Sequence, residues 1–130
     1  MNKLLVDINI MMDLLSRREE FFREAQELFT LADNKEVMLY VSALTFANTH
    51  YLLTKYQKLD EARKTLSKFK VLVTVAPLDD KIIELALAAD FRDFEDAIQY
   101  YTAIENEVDI IITRNKKDFK KSRLPVMTAK

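Results

Sequence analysis

Four short apolar runs punctuate the chain: Leu4-Leu5-Val6, Val37 to Val41, Val71 to Val75, and Ile110-Ile111-Ile112. They lack polar alternation and three are rich in β-branched residues, as strands buried on both faces require. Between them apolar residues recur at steps of three and four, the spacing of a helix with one inward face. Residues 9–17 and 19–33 read this way, and Phe21, Phe22, Ala25, Leu28, Phe29 and Ala32 make one stripe. Ser42 can cap a helix through about Lys55, and Leu59 or Asp60 opens another through Phe69. After Pro77, Asp79 can cap DKIIELALAA, and Asp93 can cap FEDAIQYYTAIEN with Phe94, Ala97, Ile98, Tyr101 and Ile104 facing inward. Strands alternating with helices predict an α/β three-layer sandwich around a mainly parallel sheet of four or five strands. Pro125-Val126-Met127 is the candidate edge strand.

The chain has 130 residues, 49% hydrophobic and 32% charged, which suits one domain over 1–130 with a buried core. The absence of Gly matters more. Neither a Walker A loop nor a G-x-G-x-x-G turn can be written without it, so the usual backbone cradles for nucleotide phosphates are missing. Zero Cys excludes disulfides and thiolate chemistry, and a single His, His50, excludes a multi-His metal site. Carboxylates remain, 21 of them. Residues 37–54 carry no formal charge, but their Ser, Thr, Asn and His residues favour a strand followed by a helix over a membrane span. MNKLLVDIN lacks the features of a signal peptide, so the expected location is the cytoplasm.

A net charge of −1 conceals an asymmetry. Residues 1–113 hold 13 basic and 20 acidic side chains, a balance of −7, whereas residues 114–130 hold 7 and 1, a balance of +6. The segment after Ile112 therefore reads either as a basic patch for a polyanion or as a solvated C-terminal loop.

In open parallel sheets, functional groups gather beyond the carboxyl ends of the strands. The first run ends in Asp7, followed by Asn9 and Asp13; the second leads into the helix bearing Asn48. The last core run ends in Thr113-Arg114-Asn115 with Asp118 three further on, and Asp96 lies in the first turn of the preceding helix. Polar groups from four distant segments can meet at one edge. Each also has a local reading: Asp93 as a helix cap, Asp96 in the favourable field of a helix start, Asp7 in a turn, Asn48 as a core amide, Asn115 and Asp118 in a turn. Thr113 either orients a ligand or pairs in the sheet, and His50 has no motif around it.

The set LLVDINIMMDLLSRRE, VSALTFANTHYLL, DFEDAIQYYTA and IIITRNKKDFKKSRLPVMT resembles the PIN-domain nucleases, which include VapC-type toxins, and most of all the branch that carries T-R-N-x-x-D-F. The resemblance covers nearly the whole chain in order. It implies that Asp7 is the first metal-binding acid and Asp96 the third. The second family position, usually Glu, falls on Asn48, and the fourth, usually Asp, on Asn115. Two of four carboxylates are thus amides. Two divalent ions bring four positive charges, which Asp7 and Asp96 cannot balance, so one Mg²⁺ or Mn²⁺ is expected, with Asn48 and Asn115 bonding to its water and Asp118 or Asp93 replacing part of the lost charge.

The function so implied is a metal-dependent ribonuclease, the toxin of a toxin–antitoxin pair. Arg114, Lys116, Lys117, Lys120 and Arg17 would hold the RNA backbone by salt-sensitive contacts, and an antitoxin protein and a homodimer come with the resemblance. The alternative, resting on the two amides, is a catalytically weak or inactive nucleic-acid-binding or interaction domain with the same fold. A phospho-acceptor receiver domain is set aside, because VLVTVAP ends in Ala-Pro where an acceptor Asp is needed.

Overall fold

The computed structural model of the chain describes residues 2–15, 22–113 and 124–127. Five strands, β1 (Asn2–Val6), β2 (Val37–Ser42), β3 (Val73–Ala76), β4 (Ile110–Ile112) and β5 (Val126–Met127), form one sheet in the order β3-β2-β1-β4-β5. Every adjacent pair is parallel. The helices are α1 (Ile8–Leu15), α2 (Phe22–Asp33), α3 (Ala43–Leu53), α4 (Leu59–Phe69), α5 (Asp80–Ala88) and α6 (Phe94–Glu105).

The central place of β1 explains its unbroken apolar sequence. Leu4 and Val6 join Leu39, Val41 and Ile112 in a core with Ile10, Met11 and Met12 of α1, Ala25, Leu28 and Phe29 of α2, and Ala62, Leu66 and Phe69 of α4. Leu5, one residue out of phase, faces the other way with Tyr40, Ala76 and Ile111 against Tyr100 and Ala103 of α6. Alternation along the strand thus feeds two layers. A third cluster locks α5 to α6 through Ile82, Ala86, Ala97 and Ile98. Helix α3 touches both sides: Leu53 belongs to the first core, while Leu44 packs against the α5–α6 cluster. That double contact explains why α3 has no single apolar stripe.

Local chemistry sets the helix boundaries. Ser42 Oγ accepts from Thr45 N at 3.0 Å and Asp79 Oδ1 from Ile82 N at 3.0 Å, so both predicted caps form. The uncharged stretch 37–54 divides at Ser42 into β2 and α3, and among the described residues no helix is long and apolar enough to cross a membrane. Without glycine, the left-handed residues that end α2 and α6 are Lys35 (φ 60°) and Glu107 (φ 54°). In both, paired bonds close the helix end: Lys35 N to Ala32 O with Glu36 N to Leu31 O, and Glu107 N to Ile104 O with Val108 N to Ala103 O.

Two elements depart from the sequence reading. Val71 and Leu72 belong to a 3-10 turn over Lys70–Leu72, and the third strand starts at Val73; Val71 is 85% exposed. The α4 helix uses the start of the apolar run to turn the chain into the edge of the sheet. In α6 the buried residues are Ala97, Ile98, Gln99, Tyr100, Thr102 and Ala103, while Phe94 and Ile104 are exposed. This helix packs against the sheet and α5 together, so its inner face is wider than a single stripe and is rotated from the expected one.

Candidate functional site

The carboxyl edge of the sheet is built around Asp7. Val6 pairs with Ile112 and Leu5 with Tyr40. Continuing those registers beyond the strand ends sets Asp7 between Ser42 on one side and Thr113 on the other. Asp7 N donates to Ile112 O at 3.2 Å, which holds its backbone to the end of β4. Its Oδ1 accepts from Asn9 N at 3.1 Å and Ile10 N at 3.2 Å, so the carboxylate caps α1. Its Oδ2 accepts from the hydroxyl of Thr113, a residue 0% exposed. The local turn role considered for this acid is therefore realised, as a cap on α1. Three donors on one half-buried carboxylate fix its direction.

Asp96 lies in the first turn of α6 and is half-buried. The helix start is organised by Asp93, whose Oδ1 accepts from Glu95 N at 2.8 Å and Asp96 N at 3.2 Å. The observed work of Asp93 is thus the cap, on an exposed residue. Asn48, on α3, is half-buried. His50 lines a separate cavity of about 360 Å³ between α3 and α4, with Phe46, Arg63, Leu66 and Lys70. Arg17, Arg114, Asn115, Lys116, Lys117, Asp118 and Lys120 lie outside the described residues.

The sequence reading missed the burial of Asp13 and the pairing of two other polar residues. Asp13, on α1, is 1% exposed, a burial that a lone charged residue in a periodic stretch does not announce. Thr45 and Gln99 are buried and bonded to each other, Gln99 Nε2 donating to Thr45 Oγ1 across the gap between α6 and α3. Gln99 sits inside an amphipathic pattern and looks like an outward residue until α6 is placed against two neighbours.

The candidate donors are all oxygen or amide groups: carboxylates at Asp7 and Asp96, an amide at Asn48, and hydroxyls at Ser42 and Thr113. Such donors fit a hard divalent cation such as Mg²⁺ or Mn²⁺ and do not favour a thiolate- or imidazole-seeking metal. Among the described residues no group of three or more His, Cys, Asp or Glu side chains gathers to hold a metal. Charge of this size suits one ion more than two.

Residues 3–117 match the PIN domain. No curated protein matches the chain. Among solved structures, a toxin–antitoxin complex from Klebsiella pneumoniae is similar at 27% identity over 98% of both chains, with a TM-score of 0.71. VapBC2 from Rickettsia felis, bound to a DNA fragment from its promoter, shares the fold at 18% identity over 96% of both chains, with a TM-score of 0.70. VapC20 from Mycobacterium tuberculosis, a toxin that cleaves the sarcin–ricin loop, aligns with 83% of this chain and 86% of its own at 17% identity and a TM-score of 0.65. The parallel five-stranded sheet, the acid at the end of its central strand and the match over residues 3–117 agree, and the chain belongs to the PIN-domain family.

Proposed function

We propose that this protein is a divalent-metal-dependent ribonuclease, the toxin of a toxin–antitoxin pair. The observation that carries the reading is Asp7: a carboxylate at the carboxyl end of the central strand, oriented by two backbone amides and the Thr113 hydroxyl. Asp7 and Asp96 would hold one Mg²⁺ or Mn²⁺. The ion, when bound, supplies Lewis-acid activation of water and neutralises charge on the scissile phosphate. The protein's own contribution is orientation. Thr113 and the start of α1 keep the Asp7 oxygens directed, the Asp93 cap sets the first turn of α6 that carries Asp96, and the Asn48 amide can donate to or accept from water at the site. Arg17, Arg114, Lys116, Lys117 and Lys120 would hold the phosphate backbone, and cleavage would leave 5′-phosphate and 3′-hydroxyl ends.

The likeness to toxin–antitoxin complexes supports an antitoxin protein as partner. A homodimer belongs to the same reading. A cytoplasmic location follows the same reading. The second reading, a catalytically weak or inactive nucleic-acid-binding domain, is favoured by one observation: amides stand at Asn48 and Asn115.

Incubation with mixed RNAs and Mn²⁺ or Mg²⁺ tests the proposal. Cleavage by the wild type that disappears in Asp7→Asn and on chelation is the expected result. Cleavage that survives either change, or binding of RNA without any cleavage, overturns it, the latter in favour of the second reading.

A further inference from the structure

A short chain of polar groups crosses from α3 to α6 beside the site. Ser42 Oγ donates to Thr45 Oγ1 at 3.0 Å, and Gln99 Nε2 donates to the same oxygen. All three residues are buried, Gln99 at 7% exposure. Gln99 Oε1 is buried and has no hydrogen-bond partner among the described residues. Turning the amide round only exchanges an orphan oxygen for an orphan NH₂, so one end is unmet in either orientation. A buried amide satisfied at one end contributes less to stability than an apolar side chain of the same shape. Stability therefore does not account for Gln99, and its placement does.

Gln99 is three residues beyond Asp96 on α6, and Thr45 is three residues before Asn48 on α3. Residues three apart are neighbours on one helical face. The bond between Gln99 and Thr45 thus joins the two helices one turn from the acid and the amide that each carries. Ser42 anchors the same chain to the end of β2, next to Asp7 in the sheet register. We propose that Ser42, Thr45 and Gln99 are positioning residues that fix the separation of α3 and α6, and with it the geometry in which Asn48 and Asp96 meet a divalent cation. This inference rests on the metal-site reading given above.

The test uses Gln99→Met and Thr45→Val, which keep volume and remove the bond, and Thr45→Ser, which restores the hydroxyl. Thermal unfolding and Mn²⁺ titration calorimetry are measured on each. The proposal expects Tm to stay within about 3 °C of wild type or to rise in Gln99→Met and to fall in Thr45→Val, where Gln99 and Ser42 lose their shared acceptor. It expects Mn²⁺ affinity to fall about tenfold in both, and Thr45→Ser to bind like wild type. Affinities within twofold of wild type in both variants overturn it. So does a loss of affinity in Gln99→Met that only tracks a fall in Tm, because that marks a packing role. Asp7→Asn separates the two ideas. If it binds Mn²⁺ as tightly as wild type, the metal-site reading fails, and positioning is judged in metal-free protein from the NMR signals of the Asn48 side-chain amide. Signals displaced in Thr45→Val and restored in Thr45→Ser support positioning, and unmoved signals refute it.

Discussion

Asp7 has a structural task and a proposed chemical one, and two substitutions separate them. Alanine removes the cap on α1, which costs about 0.5–2 kcal/mol at such a position. It also removes the carboxylate that Thr113 bonds, a bond to a charged group of about 1.5–3 kcal/mol. These bonds share one carboxylate, so their losses do not add simply; a drop of about 3 kcal/mol is expected for Asp7→Ala. Asparagine is as good a cap as aspartate, and its amide oxygen can take the same two N–H donors. Its NH₂ can face Thr113, whose hydroxyl oxygen accepts. Asp7→Asn should therefore cost about 1 kcal/mol or less while removing the anionic ligand. The assay is urea unfolding followed by far-ultraviolet circular dichroism in the presence of a chelator, read as a two-state transition. Equal losses in the two variants would show that charge, not capping geometry, stabilises this corner, and a loss below about 1 kcal/mol in Asp7→Ala would refute the hydrogen-bond account.

Other expected outcomes follow from neighbouring residues. Asn48→Glu combined with Asn115→Asp should sharply raise metal-dependent RNA cleavage if the two amides limit the wild type; an unchanged rate means that the amide-bearing site is already competent. Asp93→Asn keeps the acceptor for Glu95 N and Asp96 N, so stability and Mn²⁺ affinity should both stay near wild type, whereas a tenfold loss of affinity in calorimetry would assign Asp93 to the metal. Lys35→Gly should stabilise the chain by roughly 1 kcal/mol in urea unfolding, because a β-carbon at φ 60° is penalised where glycine is not.

The sheet was legible because parallel strands buried on both faces leave short apolar runs rich in β-branched residues. Leu4-Leu5-Val6 and Ile110-Ile111-Ile112 became neighbouring strands in register, and the caps at Ser42, Asp79 and Asp93 formed where their residue types placed them. The third run misled by two residues, since Val71 and Leu72 have strand-like composition but sit in a turn that α4 imposes. The face of α6 misled for a related reason: periodicity reports one buried stripe, and this helix has two neighbours. At the site, Asp7 and Asp96 were visible from the chain as acids at strand and helix ends. Thr45 and Gln99 were not, because a hydrogen bond between residues 54 positions apart has no local signature. The metal roles of Asp7 and Asp96 stay a proposal grounded in family membership and in the orientation of Asp7.

The central claim is that these two acids share one divalent ion. Anomalous X-ray scattering from crystals grown with Mn²⁺ tests it most directly. One manganese peak is predicted, within about 2.2 Å of a carboxylate oxygen of Asp7 and of Asp96, in near-octahedral oxygen coordination. A fully occupied manganese held by only one of the two acids, or no peak at the carboxyl edge of the sheet under saturating Mn²⁺, would contradict it.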